Sequence, residues 1–197
     1  MPILRLPKGS LRDEIRQPLY DTVEIAAAES PVGIRQFFSS VQGKSKALSN
    51  LTQNSQLRQA TSFRIQGFAM DCQNIYLANK SALALIQENS SLRVRIGEKD
   101  YWETALIYLT GRIAQNAAVT DPAVATSVIQ QNYGEVALQP VMLSGKHVVD
   151  ITPLQTFYAE WTVSGMNAAE ITASTPAANT RLKFMFSFKG LLRRAVQ

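Results

Sequence analysis

The side chains that could carry covalent or metal chemistry are few in this chain. Cys72 and His147 are the only cysteine and the only histidine among 197 residues. One cysteine cannot form an intrachain disulfide, and one thiol with one imidazole cannot supply an ordinary structural zinc site. A Ser–His–acid triad is recognised by geometry, which spacing alone does not reveal. We therefore interpret His147 as a loop or strand-end residue, and we predict no catalytic residue, no metal and no cofactor.

Two other patterns could indicate a ligand. Gly43-Lys44-Ser45 resembles the end of a phosphate-binding loop, but Phe38 stands where that loop needs its first glycine. A pair of carboxylates facing one cleft could hydrolyse a glycosidic bond. The candidates, which more often solvate a sheet, are Asp71, Glu88, Glu98, Asp100, Glu103, Glu135, Asp150 and Glu160.

The positive charge is concentrated in two stretches. The formal net charge is +5, yet no acidic residue lies between Ser30 and Met70 or after Glu170. Basic surfaces attract polyanions, while lysine and arginine also keep exposed sheet edges from pairing. The candidate basic surface comprises Arg35, Lys44, Lys46, Arg58, Arg193 and Arg194.

Period-2 alternation predicts the elements that must position these residues. Phe157, Ala159, Trp161 and Val163 share one strand face, and so do Leu182, Phe184, Phe186 and Phe188. Leu92–Ile96 alternates in the same way, and Gly67 permits a bulge after which Phe68 continues the buried face. Helices are predicted at Asn79–Gln87 and about Ala123–Gln131, and an exposed loop at Gly165–Thr180. About eight strands with long connections indicate an all-β fold, a single eight-stranded jelly-roll sandwich or barrel with one or two short helices.

The first 58 residues differ from the rest. Prolines punctuate them, and the stretch from Ser39 to Gln59 is rich in small polar residues. We predict an extended N-terminal arm at 1–58, with a short helix at Ser10–Gln17, and a barrel domain at 59–197. Because ordering an arm costs about 1–2 kcal/mol per residue, it must bury apolar groups on the body of its own subunit or on a neighbour. The candidates are Ile3, Leu4, Leu6, Leu19 and Tyr20.

Several segments resemble a known family. They are FFSSVQGKSKALSNLTQNSQL (Phe37–Leu57) followed by FRIQGFAM (Phe63–Met70), LRVRIGEKDYWETALIYL (Leu92–Leu109) and KGLLRRAVQ (Lys189–Gln197). They are similar, in order, to the arm and first barrel strand, a strand-turn-strand hairpin and the closing Gly-x-x-x-Arg tail of jelly-roll capsid proteins of tailless icosahedral bacteriophages. This length accommodates one barrel, so the comparison is with single, upright jelly rolls. Residues 111–150 match no pattern of the family.

The resemblance implies a capsid shell subunit that self-assembles into an icosahedral virion enclosing the genome. The sequence has no apolar run of about 18 residues and MPILRLPKGS lacks an apolar signal-peptide core, so we predict synthesis in the host cytoplasm without a signal peptide or transmembrane helix. The resemblance implies that the protein is located in the virion. Its partners would be copies of itself, other capsid proteins and the packaged genome, held non-specifically by a basic inner surface. The sequence leaves open an internal membrane. It also leaves open two alternative functions, another virion component (a spike, vertex or tail β-protein) and a nucleic-acid-binding β-barrel.

Overall fold

The computed structural model describes residues 3–5, 11–73, 80–106, 115–116, 132–133, 141–143, 148–176 and 181–195. The described part of the chain is mostly antiparallel β-sheet, with two helices. The all-β prediction is therefore confirmed at this level. The strands are β1 (Ile3–Arg5), β2 (Leu11–Arg16), β3 (Leu19–Ile25), β4 (Gly33–Phe37), β5 (Thr61–Gln73), β6 (Ser90–Ile96), β7 (Lys99–Ala105), β8 (Gln115–Asn116), β9 (Asn132–Tyr133), β10 (Val141–Met142), β11 (Val149–Ile151), β12 (Phe157–Val163) and β13 (Leu182–Ala195), and the helices are α1 (Lys80–Glu88) and α2 (Ala168–Ser174).

Two long strands form the centre of the larger sheet. β13 and β5 pair in antiparallel fashion along almost their whole length. β3 and β2 share the other side of β13, one after the other, and β1 pairs with β2. β10 and β11 share the outer side of β5. A smaller sheet has the order β4-β12-β6-β7, and β8 pairs with β9 alone.

The strand pairs are nested, which shows how the chain is folded. β3 pairs with β13, β4 with β12, β5 with β10 and β11, and β6 with β7. Strands β3 to β6 therefore pair, in reverse order, with the strands from β13 back to β7, as in one long antiparallel ribbon. Two further pairings, β13 with β5 and β12 with β6, roll this ribbon into the two sheets.

The core lies between the sheets and is largely aromatic. Every inward residue predicted on β12 and β13 is buried, with exposures of 0–1%. Trp161 lies 4.5 Å from Phe184 between ring centroids, and Phe38 stacks on Phe188 at 5.2 Å. Because these rings come from both sheets, they hold the sheets together, and the predicted alternation is confirmed.

β5 contains a β-bulge beside Gly67, where the sequence predicts that the buried face of the strand changes. Lys189 lies opposite Gly67 and Gly190 opposite Ile65, so Gln66 is an extra residue on β5. The insertion lets Ile65 and Phe68 both face the core, where both are buried. At the same point Gly190 meets the carbonyl of Arg64, and only a residue without a side chain fits there.

Other predictions need correction. The predicted helix at Ser10–Gln17 is wrong, because residues 11–16 form β2 against the end of β13. Residues 19–37, which we assigned to the arm, contain β3 and β4 and belong to the two sheets. The predicted loop at Gly165–Thr180 contains α2. The helix predicted at Asn79–Gln87 is confirmed as α1, and the one at about 123–131 lies outside the described residues.

Within the described residues, no helix is long and apolar enough to cross a bilayer.

Candidate functional site

One group of charged side chains follows the larger sheet across four strands. Arg64 on β5 donates two hydrogen bonds to the carboxylate of Asp150 on β11, at 2.8 and 3.0 Å. Arg193 on β13 lies 3.4 Å from Glu14 on β2. Cross-strand pairing brings together these residues, which lie up to 179 positions apart in the chain. Two cations and two anions balance, so this part of the sheet has no net charge.

The carboxylate of Asp150 is held in its charged form. The hydrogen bonds from Arg64 lower the pKa of Asp150, against a smaller opposing effect of burial. The same hydrogen bonds raise the pKa of the Arg64 guanidinium. A carboxylate stabilised as an anion by a neighbouring arginine is a poor general acid at neutral pH. Asp150 therefore acts here as a partner in an ion pair.

A second group covers the outer face of the smaller sheet. Arg93 on β6 pairs with Glu160 on β12, which also accepts a hydrogen bond from Gln36 on β4. Asp100 on β7 lies 3.9 Å from Arg93 and 3.8 Å from Arg95. The side chains of Arg93 and Asp100 are 37% and 45% exposed and that of Glu160 is 12% exposed. Ion pairs at the surface contribute about 0–1 kcal/mol each. This face is a charge-balanced, solvated surface.

The remaining candidates for chemistry are dispersed. Asp71, Glu88, Glu98 and Glu103 are exposed. Glu135 and His147 lie outside the described residues, and the side chain of Cys72 is not among those described. Among the described residues, no three histidine, cysteine, aspartate or glutamate side chains are grouped to hold a metal ion.

Lys44 of the phosphate-loop pattern, whose side chain is 25% exposed, pairs with a buried carboxylate. Its Nζ donates to both carboxylate oxygens of Asp21, at 2.8 and 3.0 Å, and to the carbonyl of Thr22 at 2.7 Å. Asp21 is fully buried, and it also accepts the backbone N–H of Phe38 at 2.7 Å. Phe38 has a φ of +72°, a conformation that is costly for a bulky residue. Asp21 and Lys44 therefore fix the sharp turn by which the chain leaves β4.

The six residues of the candidate basic surface do not form one patch. Arg193 and Arg194 pair with Glu14 and Asp13 at the end of β13. Arg35 pairs with Glu29 on the edge of the smaller sheet. Lys46 and Arg58, in the connection from β4 to β5, have no carboxylate partner among the described residues; Arg58 Nε donates to Thr52 Oγ1 at 2.9 Å.

The five candidate arm residues have separate locations. Leu19 is 4% exposed in the core of β3, opposite Phe188. The hydroxyl of Tyr20 donates a hydrogen bond to the carbonyl of Lys46. Leu19 and Tyr20 therefore stabilise their own subunit. Ile3 and Leu4 lie in β1, and Leu6 is outside the described residues. The structure therefore removes Leu19 and Tyr20 from a free arm, because β13 supplies the partner strand that β3 needs.

An apolar groove of about 620 Å³ opens beside β5, β7 and β11. Within it Phe68 stacks on Trp102, with ring centroids 4.9 Å apart. The described residues lining the groove are Phe68, Tyr101, Trp102, Leu143, Val148, Val149 and Asp150. Its one charged group, Asp150, is already paired with Arg64. The described lining can therefore hold an apolar side chain, and it offers no free nucleophile or base.

Sequence reasoning missed two features. Asp21 had no local signal, because its partners lie 17 and 23 residues away. Helix α2 had a signal: Asn167 and Glu170 form a reciprocal capping box at its start. The Asn-x-x-Glu spacing is a recognised helix-start pattern.

Comparisons with protein-family models, with curated proteins and with solved structures find no match to this chain.

Proposed function

We propose that this chain is a jelly-roll capsid subunit that assembles with copies of itself into a viral shell. The observation that carries the proposal is the nested pairing of β3 to β13, β4 to β12, β5 to β10 and β11, and β6 to β7. This pairing supports the proposed eight-stranded jelly roll, a fold in which an antiparallel ribbon is rolled into two facing sheets. In the proposal β10 and β11 together count as one strand.

Jelly rolls occur in capsid proteins, lectins and cupins, so the fold alone leaves several functions. The segments that resemble phage capsid proteins favour the first of these. In this chain they lie in the connection from β4 into β5, in the β6–β7 hairpin and in the last half of β13. β5 follows β3 and β4 in the sheets, so FRIQGFAM is not the first barrel strand that the resemblance implied. A metal site of the kind built from several histidines is excluded, because the chain has one.

The proposed partners are copies of the chain and other capsid proteins, and the proposed location is the virion. A shell repeats each contact many times, so individual contacts can be weak. Lys46 and Arg58 are the basic residues that we propose for non-specific contact with the packaged genome. They project from a connection that contains no acidic residue between β4 and β5.

The test is to express the chain alone and to measure the mass of the purified protein by light scattering, with electron microscopy of the same sample. We expect discrete assemblies of uniform diameter. A chain that stays monomeric up to about 1 mM, the range of very weak contacts, contradicts self-assembly.

In the double variant Lys46→Gln/Arg58→Gln, we expect assemblies that retain less nucleic acid, measured by the ratio of absorbance at 260 and 280 nm. If the double variant retains as much nucleic acid as the wild type, the proposed genome contact is refuted and the shell function is not.

A further inference from the structure

The two edges of the smaller sheet differ in how they are protected against pairing. The β7 edge carries three exposed charged residues, Lys99, Asp100 and Glu103. Its register with β6 also breaks between Val94 and Arg95. Charges and bulges are the usual means of keeping an edge strand from pairing with another chain. The β7 edge is therefore protected.

The β4 edge has neither protection. β4 pairs with β12 in unbroken register from Gly33 to Phe37, and its single charged residue is Arg35. Ile34 is 65% exposed and Val32, two residues before it, is 39% exposed. Ile34 is the most exposed large hydrophobic residue in the described part of the chain.

The backbone of β4 also has an open side. In the described residues the strand pairs with β12 alone, so its other side has no partner strand. The carbonyl of Gln36 accepts a hydrogen bond from the Ser39 hydroxyl at 3.1 Å, a side-chain contact that a partner strand can replace. The neighbouring strand β3 is covered at the corresponding place, where Asn50 donates its N–H to the carbonyl of Tyr20 at 3.3 Å and Ser49 bridges to Asp21. An edge with free N–H and C=O groups accepts one kind of partner best, another β-strand.

Arg35 does not oppose such a partner. Its guanidinium donates to Glu29 at 2.7 Å and to the carbonyl of Pro31 at 2.6 Å, and it lies over the ring of Trp161 at 5.8 Å. The charge is therefore neutralised within the subunit and the side chain is held against it. Two such strands can approach without bringing two unpaired cations together.

We propose that the β4 edge pairs in antiparallel fashion with β4 of a second copy, about a two-fold axis. The inference rests on the proposed shell function, which requires contacts between copies. Identical strands are self-complementary in this arrangement. The exposed Ile34 and Val32 of both copies then meet beside the axis, and apolar cross-strand pairs stabilise a sheet. A five-residue strand buries little area, so the contact is weak alone and effective when repeated.

The test compares Ile34→Lys with the matched control Tyr101→Lys, which places the same charge on the protected β7 edge. Tyr101 is 44% exposed, so both changes replace an exposed hydrophobic side chain. The measurement is the dissociation constant of the dimer of the full chain, by sedimentation velocity over a range of concentrations. We expect about a tenfold weakening or more for Ile34→Lys, equivalent to 1.4 kcal/mol, and less than about twofold for the control.

Cross-linking gives a second measurement that does not depend on affinity. In a Cys72→Ser background, Ile34→Cys should form a covalent dimer with a short bis-maleimide, and Tyr101→Cys should not. Equal dimerisation of Ile34→Lys and wild type, or cross-linking at position 101 in place of 34, overturns the β4 pairing. The second result would indicate the groove beside Trp102 as the contact.

The outcomes separate this inference from the shell function. Normal shells from Ile34→Lys refute the β4 pairing and leave the shell function standing. A wild-type chain that stops at β4-linked dimers, with no larger assembly, supports the pairing and contradicts self-assembly into a shell. A wild-type chain that stays monomeric up to about 1 mM refutes both.

Discussion

Gly190 is the position where a single added carbon tests the described fold most sharply. A Cβ built there lies 1.9 Å from the backbone oxygen of Arg64 and 3.0 Å from Cε1 of Phe63, whereas ordinary contact begins at 3.4 Å. The φ of Gly190 is outside the left-handed region, so its backbone suits alanine. Gly190→Ala therefore tests the contact between β13 and β5, and not backbone strain.

The cost follows from what must move. The nearest atom is a backbone oxygen in the sheet, which cannot rotate away as a side chain would. Relief requires β5 and β13 to separate locally by about 1.5 Å, the shortfall from 3.4 Å, which weakens adjacent ladder hydrogen bonds worth about 1 kcal/mol each. The added Cβ also displaces the ring of Phe63. We therefore expect the free energy of unfolding to fall by about 3 kcal/mol, at the upper end of the range for overpacked cores.

The assay is thermal unfolding followed by circular dichroism or calorimetry. At about 2–4 °C per kcal/mol for a chain of this size, Gly190→Ala should lower the Tm by about 6–12 °C. Gly43→Ala is the control: its φ is +80° and a Cβ there meets no atom within 4 Å, so it should cost only about 1–2 kcal/mol. A Tm for Gly190→Ala no lower than that of the control would show that the bulge at Gly67 is not packed as described.

Three further predictions concern stability. Lys44→Met should lower the free energy of unfolding, measured with urea, by about 3 kcal/mol, because it leaves the buried carboxylate of Asp21 without its cation. Adding Asp21→Asn should restore part of this stability, and a double variant with no restored stability would argue against the ion pair. Asp150→Asn should cost less than about 1 kcal/mol at pH 7, since Asp150 is 45% exposed. Because the folded pKa of Asp150 is lowered from 3.8, that cost should persist down to about pH 4 and vanish as the pH falls through the folded pKa; a cost independent of pH would exclude the pairing. Leu154 is 55% exposed and has a φ of +63°, so Leu154→Gly should raise the free energy of unfolding by up to about 1 kcal/mol, whereas Leu154→Ala should not raise it. Equal Tm values for the two variants would refute backbone strain at this turn.

The polar features show where prediction from residue spacing stops. The basic residues 35, 44, 193 and 194 stood out because they lie in two stretches of the sequence that contain no acidic residue. In the fold each meets a carboxylate. Sheet pairing brings Asp13 and Glu14 to the end of β13, the connection after β4 brings Lys44 to Asp21, and Arg35 pairs with Glu29. Charge computed along the chain is therefore a poor guide to charge on the surface of a β protein.

The sequence by itself determined the parts that depend on local alternation. The buried faces of β6, β12 and β13, the bulge at Gly67 and helix α1 all follow from side-chain spacing, because a strand or helix presents its faces with a set period. Only the tertiary structure decided that residues 11–16 are a strand and that β3 and β4 belong to the sheets. Those short segments have weak preferences of their own, and their conformation is decided by hydrogen bonds to β12 and β13, more than 100 residues away in the chain.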